Sequence, residues 1–403
     1  MSLLQAVRSF SAEFNAVKTF WIAFSGGLDS QVLLSIYSKL RTEMHLDVRA
    51  IHINHGISPY ANTWAIHCKN SCERLGIHYV ERTIELNLQA GDSLEEIARE
   101  KRYAIFAEYL EEGDVLITAH HQDDQAETVL LQLMRGAGPK GLAAMPFSKP
   151  FGKGLQVRPL LSFPRSDLQQ YATENALTWI EDESNQNLSF ARNFIRHDIM
   201  PRLKSRWPAV ATSLARSALH CAEHQRLLEA FSIEQYKEVQ GSRDHTLSVA
   251  KLLQCSPEKQ KLILRSWIHQ FHYALPNTKV MDVILQTVLC AAWDRSPMVQ
   301  WGEVTLRRYR DDIHLVPLAK ILPNLDVLKT ISVADVSIRF RQRGEKVEVK
   351  GRGRHTLKNL FQEWGVLPWE RDTIPLIFIG DKLVAVPGYF LHEDYVDKGR
   401  VLL

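Results

Sequence analysis

Two polar clusters near the start of the chain hold the residue types that phosphate chemistry requires. The first is Ser25-Gly26-Gly27-Leu28-Asp29-Ser30. Paired glycines permit unusual backbone angles and let a ligand approach closely. The N–H groups at the start of a following helix lack partners and carry partial positive charge. With the Ser25 and Ser30 hydroxyls they make a cradle for phosphate or pyrophosphate. Asp29 would repel a bare phosphate, but it suits a Mg²⁺ shared with one. The second cluster is His120-His121-Gln122-Asp123-Asp124, followed by Glu127. It has acid–base and ligand capacity, yet lacks the helical His-Glu-x-x-His spacing of zinc hydrolases. A plain polar helix start would also place acidic residues here, because they stabilise helix N-termini.

The flanking sequence predicts how these clusters are positioned. The apolar run 20–24 reads as a buried strand, 25–30 as a tight turn and 31–40 as a helix. Further strands are expected at 47–54, running into Asn54-His55-Gly56, at 77–82, and at 115–119, which enters His120. Helices are expected over 2–16, 61–75 (closed by Gly76), 93–109 and from Thr128 to Met134. Ser93 and Glu96 make a capping box for the third. Strands alternating with helices imply an α/β fold with a parallel sheet covered on both faces. Ligands on such sheets sit at the carboxyl ends of the strands. Residues 25–30, 54–56 and 120–124 all fall at such ends, so one site is expected to join them.

At ~150 residues per domain, 403 residues suggest two or three domains. Pro201 and Trp207-Pro208 mark a composition shift. Beyond it, 209–240 reads as a long helix and 250–293 as further helices, with no catalytic constellation. Strands are expected from Trp301 to Val316, where Arg307-Arg308-Tyr309-Arg310 is a basic patch with an aromatic. After Pro323, eight cations lie close together: Arg339, Arg341, Arg343, Lys346, Lys350, Arg352, Arg354 and Lys358. Such a run suits a phosphate backbone, although charge runs are often only solvated faces. The five cysteines are sparse and odd in number, which fits a reducing cytosol rather than a disulfide framework. Cys68 and Cys72 share a helix face, with too few neighbouring ligands for a metal. No signal peptide and no ~20-residue apolar span is visible, so a cytoplasmic chain without a membrane role is expected.

The first loop is too short for a Walker P-loop, and no Lys follows its last glycine. It resembles the Ser-Gly-Gly-x-Asp-Ser loop of the N-type ATP pyrophosphatases. A closer resemblance runs through several segments in order. They are Asn54-His55-Gly56, Ala98-Arg99-x-x-Arg102-Tyr103, Thr118–Thr128, Leu133-Met134-Arg135-Gly136-x-Gly138, Arg158-Pro159-Leu160-Leu161 and Glu183-Ser184-Asn185, then Ala191-Arg192-Asn193-x-Ile195-Arg196. Together these resemble the tRNA(Ile)-lysidine synthetases. Arg341-x-Arg343-Gly344-Glu345, Leu357-Lys358 and Pro368-Trp369-Glu370-Arg371 resemble the C-terminal domain of their longer members.

This resemblance implies an adenine-nucleotide α-hydrolase-like, Rossmann-like catalytic domain at 1–210, a mainly helical middle domain at 211–322 and a basic, mixed α/β tRNA-binding domain at 323–403. It implies ATP and Mg²⁺ as cofactors, and as partners L-lysine and an isoleucine tRNA with a CAU anticodon. The wobble cytidine would be adenylated at its C2 oxygen, and the lysine amine would then displace AMP. Ala23, Ser25, Gly26, Gly27, Leu28, Asp29, Ser30 and His55 would hold the nucleotide, Asp29 and Asp124 the Mg²⁺, and Arg135 a phosphate. His120 or Asp123 would take the amine proton, and Arg192, Arg196 and the C-terminal cations would meet tRNA. Two other readings remain at this point. One is a related enzyme that transfers sulfur or ammonia, against which stands the lack of a Cys-x-x-Cys and of an N-terminal cysteine. The other is a non-catalytic RNA-binding protein, against which stand Asp29, Asp123 and Asp124.

Overall fold

The computed structural model describes residues 2–14, 16–56, 58–84, 94–292, 295–318, 336–342, 345–349, 353–380 and 382–391. The chain divides into two units, Met1–Leu228 and Glu229–Leu403. The first is organised on β1 (Phe20–Ala23), whose apolar residues leave no polar face and so require cover on both sides. Helix α1 (Leu3–Glu13), capped by Ser2 and Gln5, precedes it. Then follow α2 (Leu28–Met44), β2 (Val48–Asn54), α3 (Ala61–Leu75), β3 (His78–Thr83), α4 (Leu94–Tyr109) and β4 (Val115–Ile117). After these come α5 (Gln122–Met134), α6 (Pro139–Leu142), β5 (Ser148–Phe151), β6 (Gly154–Val157) and α7 (Arg165–Glu174). The sheet order is β3-β2-β1-β4-β6-β5, parallel except for the edge strand β5. The order reverses between β1 and β4, and such a switch point opens a crevice at the carboxyl ends.

Helix α2 is buried almost all round, with Val32, Leu33, Leu34, Ile36, Tyr37 and Leu40 at 0% exposure. Burial on that scale anchors the helix that follows the phosphate loop. It begins at Leu28, three residues earlier than the sequence predicts, because extended Gly27 is its N-cap. Asp29 and Ser30 therefore stand in its first turn. Helix α3 ends where predicted, on Gly76 in the left-handed region. Its Cys68 and Cys72 face the core and are fully buried. The expected Ser93–Glu96 capping box lies outside the described residues. Past α7, α8 (Ala191–Phe194), a π turn (Ile195–Ile199) and α9 (Met200–Arg206) lead to α10 (Val210–Glu238), within which the two units divide.

The second unit holds α11 (Val249–Leu253), α12 (Pro257–Gln270) and α13 (Thr278–Val283), packed on a sheet ordered β7-β10-β9-β8. Its strands are β7 (Leu247–Ser248), β8 (Met298–Trp301), β9 (Val304–Tyr309) and β10 (Asp312–Pro317). A second sheet, β11-β14-β15-β16, joins β11 (Val336–Arg339), β14 (Leu376–Ile379), β15 (Lys382–Val386) and β16 (Phe390–Leu391). The hairpin β12 (Lys346–Val349) with β13 (Gly353–Thr356) leads into α14 (Leu357–Glu363). The expected boundary at 322–323 lies outside the described residues.

Two expectations about basic residues change here. Arg308 is no surface cation: it is 6% exposed and donates to the carbonyls of Val288, Leu289 and Ala291 at 3.2, 2.9 and 2.8 Å. In the C-terminal run, Arg339 pairs with Glu345 and Arg341 with Asp372. Lys346, Arg354 and Lys358 are exposed, while Arg343, Lys350 and Arg352 lie outside the described residues. Replacing Arg308 strands four carbonyls that it now satisfies, those of Val288, Leu289 and Ala291 and that of Arg310, which accepts from its Nε at 2.9 Å. Arg308→Met is therefore expected to cost about 2–4 kcal/mol, and Arg307→Met less than about 1 kcal/mol, in urea unfolding of the second unit.

Candidate active site

The phosphate loop is held from inside and from above. Ser30 Oγ donates to Gly27 O at 3.0 Å, accepts from Gly26 N–H at 3.1 Å and lies 3.1 Å from Ser25 Oγ. The first backbone bond of α2 runs from Gln31 N–H to Gly27 O, which leaves the N–H groups of Leu28, Asp29 and Ser30 ahead of it. Gly26 has φ +85° and its carbonyl accepts from Ile180 N–H at 2.9 Å. A Cβ at Gly26 would stand 2.6 Å from Ile180 Cδ1 and 2.8 Å from Cys68 Sγ. Ile180 and Cys68 thus form the packing surface that holds the loop.

Across the switch point, α5 begins with a dense ionic network. Asp124 Oδ1 accepts from Arg192 at 2.9 Å and Arg196 at 2.8 Å, and its Oδ2 accepts from His121 N–H at 3.0 Å. Glu127, one turn on, accepts from Arg192 at 3.0 Å and Arg196 at 2.7 Å. Asp123 accepts from Lys204 at 2.5 Å and from Arg165 N–H at 2.9 Å. His121 Nε2 stands 3.5 Å from Asp29 and 3.4 Å from Asp124, within ion-pair range though in neither case a hydrogen bond. Asp29 Oδ1, 3.8 Å from Arg165 Nε, is buried without a hydrogen-bond partner.

These neighbours set the protonation states. Burial disfavours charge on Asp124, but His121, Arg192 and Arg196 outweigh it and hold the carboxyl below its usual range. Burial likewise works against Asp123, and Lys204 with the Arg165 N–H reverses it. For His121, burial is overcome by Asp124, Asp29 and Asp123, and the net shift is upward. His120 goes the other way: burial, with Arg158, Arg192 and Arg99 against the pull of Asp124, lowers it to about 3. It is a neutral imidazole whose Nδ1 lies 2.9 Å from Thr118 Oγ1.

The structure brings Ser25–Ser30, His120, Asp123 and Asp124 to one crevice, with Ala23 and His55 at the ends of β1 and β2. His55 is neutral, lowered to about 4 by burial, Arg102 and His52, against Asp182. Arg135 is elsewhere. It is the exposed C-cap of α5, eleven residues beyond Asp124 and about 16 Å along the helix axis. Arg192 and Arg196 are not free for RNA as expected, because both are bound to Asp124 and Glu127. The sequence carried a signal for this: cations four apart facing carboxylates three apart match two helix faces. The sequence gives no role to Arg165 or Lys204, and it offers His121 only as one member of the acidic cluster. Buried Cys72 has its thiol pushed up to about 12, chiefly by burial, and Cys68 is raised further for the same reason. Neither is a thiolate for sulfur transfer.

Three family profiles match the chain: the PP-loop domain over residues 2–203, the TilS substrate binding domain over 247–314 and the TilS substrate C-terminal domain over 336–401. The fold and its phosphate loop therefore define a PP-loop ATP pyrophosphatase. The chain is 42% identical to the tRNA(Ile)-lysidine synthase of Coxiella burnetii, over 99% of this chain and 94% of that protein. It is 41% identical to that of Methylococcus capsulatus, over 94% and 93%, and 36% identical to that of Histophilus somni, over 97% and 99%. The chain belongs to the tRNA(Ile)-lysidine synthase family.

Two outcomes are expected from this geometry. Gly26→Ala strains φ and collides with Ile180, so it should destabilise the first unit by about 2–4 kcal/mol and weaken ATP binding at least tenfold. Adding Ile180→Ala should restore part of the stability, measured by urea unfolding and nucleotide titration. The raised pKa of His121 gives a pH dependence of definite sign. Its stabilising charge is fully present below the unfolded value of about 6.5 and is lost as pH rises through the higher folded value. In magnesium-free buffer, the stability lost in His121→Gln should therefore be largest near pH 6 and shrink toward pH 9 in thermal melts.

Proposed function

We propose that this protein joins lysine to C2 of the wobble cytidine in the CAU anticodon of an isoleucine tRNA, through an adenylated cytidine, releasing AMP and pyrophosphate. The observation that carries this reading is a phosphate loop facing an ionic network, in a chain related over nearly its whole length to tRNA(Ile)-lysidine synthases. A cytosine C2 oxygen is a poor leaving group. Once it has attacked the α-phosphate of ATP it leaves as part of AMP, and the lysine amine can replace it.

In this reading the free N–H groups of Leu28, Asp29 and Ser30 and the Ser25 hydroxyl receive the pyrophosphate end of ATP. Arg165, 3.8 Å from Asp29, is a cation close to that end. Mg²⁺, when bound, offsets phosphate charge. Asp29 fits it, since one buried oxygen has no hydrogen-bond partner, and magnesium commonly uses one or two carboxylates with phosphate and water. Asp124 fits it less well, because Arg192, Arg196 and the His121 N–H already occupy both its oxygens. Among the described residues, no group of three or more His, Cys, Asp or Glu is arranged to hold a metal alone. Asp123, tied to Lys204 and Arg165, serves as a strut rather than the base. Neutral His120, steadied by Thr118, is the acceptor that can orient the attacking amine. The three matched segments divide the work, with 2–203 adenylating and 247–314 and 336–401 holding tRNA. No helix among the described residues is long and apolar enough to cross a membrane, in keeping with a cytoplasmic site of action.

The test is incorporation of labelled lysine into transcripts of the CAU-anticodon isoleucine and methionine tRNAs. Label is expected in the isoleucine transcript alone, and equal labelling of both would refute the stated selectivity. Asp29→Asn should lower kcat/KM for ligation at least about 100-fold. Its retention of the tRNA on filters should stay within about twofold of wild type, because in this reading Asp29 meets the nucleotide and not the RNA.

A further inference from the structure

Beyond the ionic network, the chain presents an aromatic ring that nothing in the chemistry above uses. Trp207 is 57% exposed, an unusual state for the largest apolar side chain. It stands at a fixed joint. Its N–H donates to Leu203 O at 2.7 Å, its carbonyl accepts from Val210 N–H at 2.9 Å, and Pro208 follows it. A residue before proline is held to extended conformations, and Trp207 has φ −131° and ψ 87°. The ring is thus presented from a rigid backbone. Arg206 Cζ lies 5.8 Å from the ring centroid, adding a cation beside the aromatic face.

The position matters as much as the ring. One turn before Trp207, Lys204 reaches Asp123, the neighbour of Asp124 at the start of α5. The end of α9 is therefore fastened to the mouth of the candidate active site. Its last turn carries Arg206 and the Lys204 bound to Asp123, and Arg202 on the same helix pairs with Asp198. A rigid exposed aromatic with an arginine beside it matches the way proteins hold an unstacked base.

We infer that Trp207 and Arg206 form a stacking platform for a nucleobase next to the modified cytidine in the single-stranded anticodon loop. The inference rests on the proposed tRNA reaction and adds a base-reading element at the rim of its site. The platform holds the loop open while the cytidine enters the crevice. Stacking is tolerant of base identity, so its contribution is to hold and orient the loop, with selectivity left to other contacts.

The experiment measures binding of a CAU anticodon stem–loop RNA by fluorescence anisotropy, beside ligation kinetics with the full tRNA. Trp207→Ala should weaken stem–loop binding and raise KM for tRNA by about five- to tenfold. KM for ATP and the melting temperature should not move. Trp207→Phe should restore most of the affinity, and Arg206→Ala should show a smaller loss. Stem–loops with one abasic nucleotide beside the wobble position identify the stacked base. At that position the wild type should lose affinity and Trp207→Ala should lose nothing further. Wild-type affinity in Trp207→Ala, or full additivity with every abasic site, would overturn the platform. A failure of the lysidine reading would show separately, as wild-type protein that adds no lysine to any tRNA.

Discussion

Four carboxylates crowd the carboxyl ends of β1 and β4: Asp29, Asp123, Asp124 and Glu127. Such a cluster, largely removed from water, survives only if cations reach it. They come from one later segment, as Arg165, Arg192, Arg196 and Lys204. Breaking one buried pair by removing a partner costs about 3–5 kcal/mol, a large part of the roughly 5–15 kcal/mol that holds a domain together. Residues 165–206 are therefore an integral part of the nucleotide-binding unit. The π turn at Ile195–Ile199 sits within this segment, directly after the α8 turn that carries Arg192, and contains Arg196. Single π turns recur inside helices at functional sites, where they re-aim side chains. Here both guanidinium groups reach the same two carboxylates.

The same balance limits where a triphosphate can bind. The four carboxylates are matched by four cations, with His121 between Asp29 and Asp124. The network has little positive charge to spare for phosphates unless ion pairs open. The compensation must come from the side where pairing is incomplete, at the α2 N-terminus and the unpartnered oxygen of Asp29. That asymmetry separates the two aspartates that sequence reasoning treated alike. Asp29 keeps one oxygen without a hydrogen-bond partner, whereas both oxygens of Asp124 are taken by Arg192, Arg196 and the His121 N–H.

The parts legible in the sequence were those set by local pattern. Apolar runs alternating with helical segments gave the parallel sheet, and polar clusters after the strands marked its carboxyl edge. The start of α2 is not legible in the sequence, because a glycine N-cap leaves no side-chain signature. Arg192 and Arg196 lie 68 and 72 residues from Asp124 in the chain, so their four-residue spacing marks a common helix face without saying which carboxylates that face meets. The basic patch expected at Arg308 fails for a different reason. On a strand, successive side chains alternate faces, so a run of basic residues cannot all point outward. Arg308 sits between Arg307 and Tyr309 on β9 and turns to the carbonyls of Val288, Leu289 and Ala291. The alternation was there to be read. Arg135 was placed by motif alone, and the length of α5 carries it away from Asp124.

The proton that the attacking amine must lose presents the remaining chemical constraint. Asp123 is held below its usual pKa range, and His120 is drawn down to about 3, so neither is a strong base near neutrality. The proposed reaction does not demand one. Adenylation turns the C2 oxygen into a good leaving group, so the driving force is stored before the amine arrives. The cations around His120, namely Arg158, Arg192 and Arg99, also disfavour a further positive charge beside it. An amine brought to that position is biased toward its neutral, nucleophilic form. A neutral imidazole fixed by Thr118 can then accept a hydrogen bond from the amine and aim it. The guanidinium groups that keep the carboxylates in place thus also favour the protonation state that the nucleophile requires.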